Sequence, residues 1–217
     1  MKNLKRFSLI ICIVIICSAV LSLASCSSPP PELDDVRERI KYLLENSQEV
    51  NRLFWGEGLD VYSMDDPEFE EMYSDVDTAT FEYVTPDSKY QSIDDIKNAA
   101  AKVYSSEYLE KVYEAAFLGT TVEVGDTVVV GTARYYDDEN GLMQSVYVRR
   151  GDDSYVLIHA KRIFDISTLK YETPSSGSYL NVSVDSWLEG DENNVVNITL
   201  QFSLAPDGNW YLDSPSY

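Results

Sequence analysis

The 217-residue chain reads as an α+β protein, with N-terminal helices packed on a curved antiparallel β-meander. Three observations predict this. Apolar residues recur at steps of three and four through the first half of the globular part. After Gly119 the period changes to alternation, in stretches rich in Val, Tyr and Thr. Between those stretches stand Asp/Glu/Asn/Gly clusters of the kind that close hairpins. A content of 44% hydrophobic residues with only 10 Gly and 8 Pro excludes a disordered or collagen-like chain and suffices for a sizeable core.

The first helix is expected over 32–54, where Val36, Ile40, Leu43, Leu44, Val50 and Phe54 mark one face and acids occupy the first turn. Gly56 and Gly58 can end it, one of them as a left-handed cap. From 57 to 87 there is no Lys or Arg, and the acids crowd into a long loop or weak helix. A short strand follows at 80–84. Ser92-Ile93-Asp94-Asp95 opens a second helix with a capping-box pattern, carrying Ile93, Ile96, Ala100 and Val103. Ser105-Ser106 caps a third, whose stripe is Leu109, Val112, Tyr113, Ala116 and Phe117 and which closes at Gly119. Strands are expected at 127–136, 142–150, 154–166, 179–188, 195–205 and 210–212.

Residues 1–25 are an address rather than part of the fold. Lys2, Lys5 and Arg6 precede an 18-residue apolar run over 7–24, broken only by Ser8, Ser18 and Ser22. A charged start, an apolar centre and small residues at the end describe a secretory signal. It closes on Leu23-Ala24-Ser25-Cys26, which resembles the lipobox of bacterial lipoproteins. That resemblance implies that signal peptidase II recognises Leu23, Ala24 and Ser25 and cuts before Cys26. The Cys26 sulfur then carries a diacylglyceryl group, palmitate being a typical acyl chain. An uncleaved helical anchor is the alternative, since the run approaches the ~20 residues that span a bilayer. Either way the positive residues precede the apolar run and the remainder lies outside the cytoplasm, on the outer face of the cell membrane.

Cysteine usage fits this reading. Cys12 and Cys17 lie in the removed leader, so the mature chain keeps Cys26 alone and forms no internal disulfide. Ser27-Ser28-Pro29-Pro30-Pro31 forms a short, stiff tether, so 26–31 is lipidated cysteine plus spacer and 32–217 a single extracytoplasmic domain.

Charge separates the function classes. The chain carries 17 Lys+Arg against 37 Asp+Glu, a formal charge of -20. Loss of a leader with three bases and no acid leaves 14 against 37, or -23. Nucleic-acid binding needs a basic footprint and is excluded as a reading. A strongly anionic module instead accelerates encounter with a cationic protein.

The order helix, short strand, paired helices and meander resembles nuclear transport factor 2-like and cystatin-like cone-shaped domains. It is also similar to secreted inhibitors of cell-wall DL-endopeptidases from Gram-positive bacteria, through the turn Phe54-Trp55-Gly56-Glu57-Gly58, the Tyr-bearing helix pair over 93–117 and the element Gly208-Asn209-Trp210. That resemblance implies a partner: a basic cell-wall hydrolase. The acidic stretch over 57–77 departs from the pattern, and no functional residue is carried over.

The chemistry-bearing motifs are sparse. There is no Gly-x-Ser-x-Gly elbow, phosphate loop or dinucleotide fingerprint. His159 is the single imidazole, flanked by Lys161 and Arg162 with no positioned nucleophile in view. The clustered carboxylates lack EF-hand spacing, so neither metal nor cofactor is expected. The chain is therefore read as a non-catalytic envelope lipoprotein that binds an extracellular protein through Trp55, Glu57, Asp60, Asp65, Asp66, Glu70 and Glu71. The alternative is a cone whose mouth holds a small molecule or glycan. Last comes a wall hydrolase using two carboxylates.

Overall fold

Helix α1 (Leu33–Trp55) is the longest element among the described residues and the backbone of the core. Its buried face carries Val36, Ile40, Leu43, Leu44, Val50, Leu53 and Phe54, the spacing of three and four that the sequence shows. Asp34 and Asp35 in the first turn complement the positive end of the helix dipole. The computed structural model describes residues 28–62, 81–124, 127–131, 133–145 and 160–217.

Strand β1 (Phe81–Tyr83) leads to two short helices, α2 (Ile93–Ala100) and α3 (Ser106–Tyr113), the latter running into a π-helical turn (Glu114–Leu118). Both helices start at the predicted caps. The Ser92 hydroxyl accepts from Asp95 N at 3.1 Å, and the Ser105 hydroxyl accepts from Tyr108 N at 3.1 Å. The strands are β2 (Thr120–Val124), β3 (Thr127–Gly131), β4 (Tyr135–Asp138), β5 (Gly141–Ser145), β6 (Arg162–Glu172), β7 (Tyr179–Leu188), β8 (Val196–Leu204) and β9 (Trp210–Leu212).

The α+β class holds, but the strands do not form one meander. The described residues hold a four-stranded antiparallel sheet in the order β6-β7-β8-β9, a three-stranded sheet β1-β5-β4 and the β2-β3 hairpin. The strand expected at 127–136 is two strands in different sheets: β3 pairs with β2, whereas β4 pairs with β5. Of the strands expected at 142–150 and 154–166, the parts over 146–159, with His159, lie outside the described residues. The second continues to Glu172, beyond the predicted end at 166. The register shifts between Asp165 and Lys170, where the Thr168 hydroxyl donates to Asp165 O at 2.8 Å and accepts from Asp185 N at 2.9 Å. This side-chain stitching replaces ladder bonds at the bulge and hides the alternation.

The core lies between α1 and the four-stranded sheet. Ile40, Leu43 and Leu44 share one buried cluster with Leu180, Val182, Val184, Leu200, Phe202 and Leu212. Each such side chain contributes about 1.5–3 kcal/mol by leaving water. α1 runs antiparallel to β6: Tyr171 OH donates to Pro31 O at 2.8 Å, Arg37 Nη1 to Ile166 O at 2.9 Å and Arg162 N to Gln48 Oε1 at 2.9 Å. Part of the expected tether is therefore fastened to the domain, and Gly177 N also donates to Ser28 O at 2.7 Å.

Buried phenols make this core sensitive to alkali. Burial pushes Tyr104, Tyr108 and Tyr135 above the usual tyrosine range and Tyr113 up to about 12. A pKa raised in the folded state means that the contribution is complete below the unfolded value of about 10 and is lost as pH climbs through the folded values. Absorbance titration at alkaline pH is expected to show a late tyrosine fraction ionising together with loss of secondary structure. A single step near pH 10 with the fold intact would contradict this.

Candidate protein-binding surface

The surface is built at the C-terminal end of α1, where a helix leaves carbonyls without partners. Arg134, just before β4, supplies two donors there: Nε to Leu53 O and Nη2 to Gly56 O. The Tyr135 hydroxyl adds a bond to Leu53 O at 2.8 Å. A guanidinium at this end also suits the helix dipole.

The chain then makes a braced turn. Gly56 N and Gly58 N both donate to Arg52 O, at 3.0 and 3.1 Å. Gly58 has φ of 78°, the left-handed region that the sequence assigned to one of the two glycines. The buried Gln144 of β5 lies against it, its Oε1 accepting from Leu59 N at 2.7 Å. Beyond the turn, Thr85 N donates to Asp60 O at 3.0 Å and Val61 bridges to Val84. Glu57 and Asp60 stand exposed on this frame.

An aromatic row adjoins it. The Tyr104 and Tyr108 rings stack at 4.9 Å, Tyr108 lies 6.4 Å from Trp55, and Trp55 lies 4.9 Å from Tyr217. Trp55 and Tyr108 are half-buried, and Tyr217 is 40% exposed. Tyr104 is buried, so Trp55, Tyr108 and Tyr217 form the accessible edge, and rings held there offer contact area with little side-chain entropy left to lose.

Of the predicted contact residues, Trp55, Glu57 and Asp60 therefore sit on one rigid turn. Asp65, Asp66, Glu70 and Glu71 lie outside the described residues, as do Leu23, Ala24, Ser25 and Cys26. Trp210 is buried in the core and Trp187 is half-buried on β7. Arg134, Gln144, Tyr108 and Tyr217 were not legible as parts of this surface. Their roles depend on long-range pairing and leave no local motif.

A cleft of about 400 Å³ lies between α1 and α2, and a larger one of about 850 Å³ lies between α3 and the β8–β9 turn. In the smaller cleft, Glu49 and Lys89 are already paired. Lys89 Nζ contacts both Glu49 carboxylate oxygens, at 2.6 and 2.8 Å, and the Tyr90 hydroxyl donates to Oε1 at 2.6 Å. Burial works to raise the Glu49 carboxyl, but the Lys89 and Tyr90 donors prevail and hold it below its ordinary value. Asp95 is lowered first by the Gln91 N–H, with the Ser92 hydroxyl adding to it. Asp138 is pushed up by burial yet ends lowered by Tyr83 and the N–H groups of Asn140 and Gly141, and Asp207 is lowered by Asn209.

No protein-family model matches the chain, and neither a curated protein nor a solved structure matches it.

Proposed function

We propose that this is a membrane-anchored extracytoplasmic lipoprotein whose domain is a non-catalytic binding module for a basic extracellular protein, of the cell-wall hydrolase class. The observation that carries the reading is the braced turn with exposed Glu57 and Asp60 beside the row Tyr108, Trp55 and Tyr217. Pre-organised backbone lowers the ordering cost of association. The aromatic edge supplies an apolar anchor, and the carboxylates steer a cation toward it.

The double charge reversal Glu57→Lys with Asp60→Lys tests it. Wild-type domain immobilised at low salt is expected to retain a basic wall hydrolase from envelope extract, identified by mass spectrometry, and to release it as salt rises. The double variant is expected to associate about tenfold more slowly. Equal capture by both proteins, or capture of no basic protein, would refute the assignment.

A further inference from the structure

The end of the domain that carries the tether is distinct in both chemistry and bonding. Residues 28–31 are fastened at two points, Ser28 O by Gly177 N at 2.7 Å and Pro31 O by the Tyr171 hydroxyl at 2.8 Å. The fit at Gly177 is tight: a Cβ there would lie 2.1 Å from Ser28 Oγ and 3.2 Å from Pro29 O. One residue, Ser27, lies between Cys26 and Ser28, and two steps of chain reach at most about 7 Å. A lipid on Cys26 therefore ties the bilayer to this spot on the domain surface rather than to a loose leash.

We infer that the face formed by residues 28–31 and the 173–178 loop lies against the headgroups of the bilayer and holds the domain in one orientation. The inference rests on the lipid-anchor reading above. The loop itself is uncharged, unlike the far end of the sheet. The loop Thr173-Pro174-Ser175-Ser176-Gly177-Ser178 has no charged residue, whereas the turn at the other end of β7 begins Glu189-Gly190-Asp191-Glu192. An anionic membrane repels the second end and tolerates the first. Glu32, Asp34, Asp35, Glu172 and Asp207 flank the membrane end, the last in the turn that Leu204 N ties to Ser178 O at 3.0 Å, while Arg37 Nη2 meets Asp34 Oδ1 at 3.0 Å and Lys170 lies two residues before Glu172 on β6.

The orientation has a consequence for the binding surface. Because α1 starts at the tether and runs antiparallel to β6, its other end points away from the membrane. Twenty-three helical residues extend about 35 Å. The 55–60 turn is thus displayed outward, where a soluble wall protein can reach it.

The test uses the lipidated protein in vesicles of phosphatidylethanolamine and phosphatidylglycerol containing a headgroup-quencher lipid. Ser178→Cys and Asn193→Cys, at the two ends of the 10-residue β7, each receive one thiol-reactive fluorophore. The label at 178 is expected to be quenched several-fold more strongly than that at 193. Gly177→Val, which drives a side chain into Ser28, is expected to shrink that difference with little change in thermal midpoint. Equal quenching at 178 and 193 in protein whose Cys26 carries lipid by mass spectrometry would overturn the orientation alone. Protein that carries no lipid would overturn the anchor reading and this inference together.

Discussion

Gly58→Ala is expected to destabilise the domain by about 2–4 kcal/mol, the sum of a left-handed backbone that an L side chain resists and a buried hydrogen bond that it breaks. The φ of 78° is the first cause. The second is steric: a Cβ at Gly58 would lie 1.9 Å from Gln144 Oε1, the atom that accepts from Leu59 N. Gln144 is only 2% exposed, so its displaced amide has no water to turn to. Gly208 separates the two causes, since its φ is 82° but nothing lies within 4 Å of its added Cβ. Gly208→Ala is therefore expected to cost only the backbone part, about 1–2 kcal/mol. Urea midpoints read both values. Equal losses would show that the Gln144 brace contributes nothing. Because the brace shapes the proposed binding turn, Gly58→Ala is also expected to weaken partner capture more than its stability loss accounts for.

Tyr104→Phe is expected to cost about 1–3 kcal/mol while leaving the volume of the core unchanged. The Tyr104 hydroxyl bonds to Asn51 Oδ1 and lies 3.0 Å from Ser216 Oγ. Asn51 Nδ2 donates to Ser216 Oγ at 2.9 Å, and Ser216 Oγ donates to Ser47 Oγ at 2.8 Å. All four side chains are buried, so loss of one oxygen leaves the Asn51 carbonyl without its donor. The double variant Tyr104→Phe with Asn51→Leu removes both partners and is expected to recover part of the loss. Two losses that simply add would argue against a shared network. This network joins α1, the segment before α3 and the residues after β9, and so fixes the Tyr217 end of the aromatic row.

Much of the fold was legible because local physics decides it. The apolar spacing from Val36 to Phe54 defines α1 to within a residue at each end, and Ser92 and Ser105 cap the helices that follow. β7 and β9 match their predicted limits, since the Gly190-Asp191 and Asp207-Gly208 turns stop the pairing sharply. What failed depends on distant partners. β3 and β4 read as one strand because Val128 to Tyr136 share β-propensity, and only pairing choice assigns them to different sheets. β6 was cut short because Ser167 and Thr168 occupy a bulge. At the binding surface, Trp55, Glu57 and Asp60 were visible from composition alone. Arg134 and Gln144 were not, because a strand residue that props a loop some 80 positions away looks like any other polar residue.

The central claim is that the chain is exported and anchored by lipid at Cys26. Intact-mass and peptide mass spectrometry of protein extracted from membranes tests it most directly. The account predicts an N-terminal residue 26 bearing a thioether-linked diacylglyceryl group, with residues 1–25 absent. Protein that retains Met1, or that begins at or before residue 26 with an unmodified thiol, would contradict it.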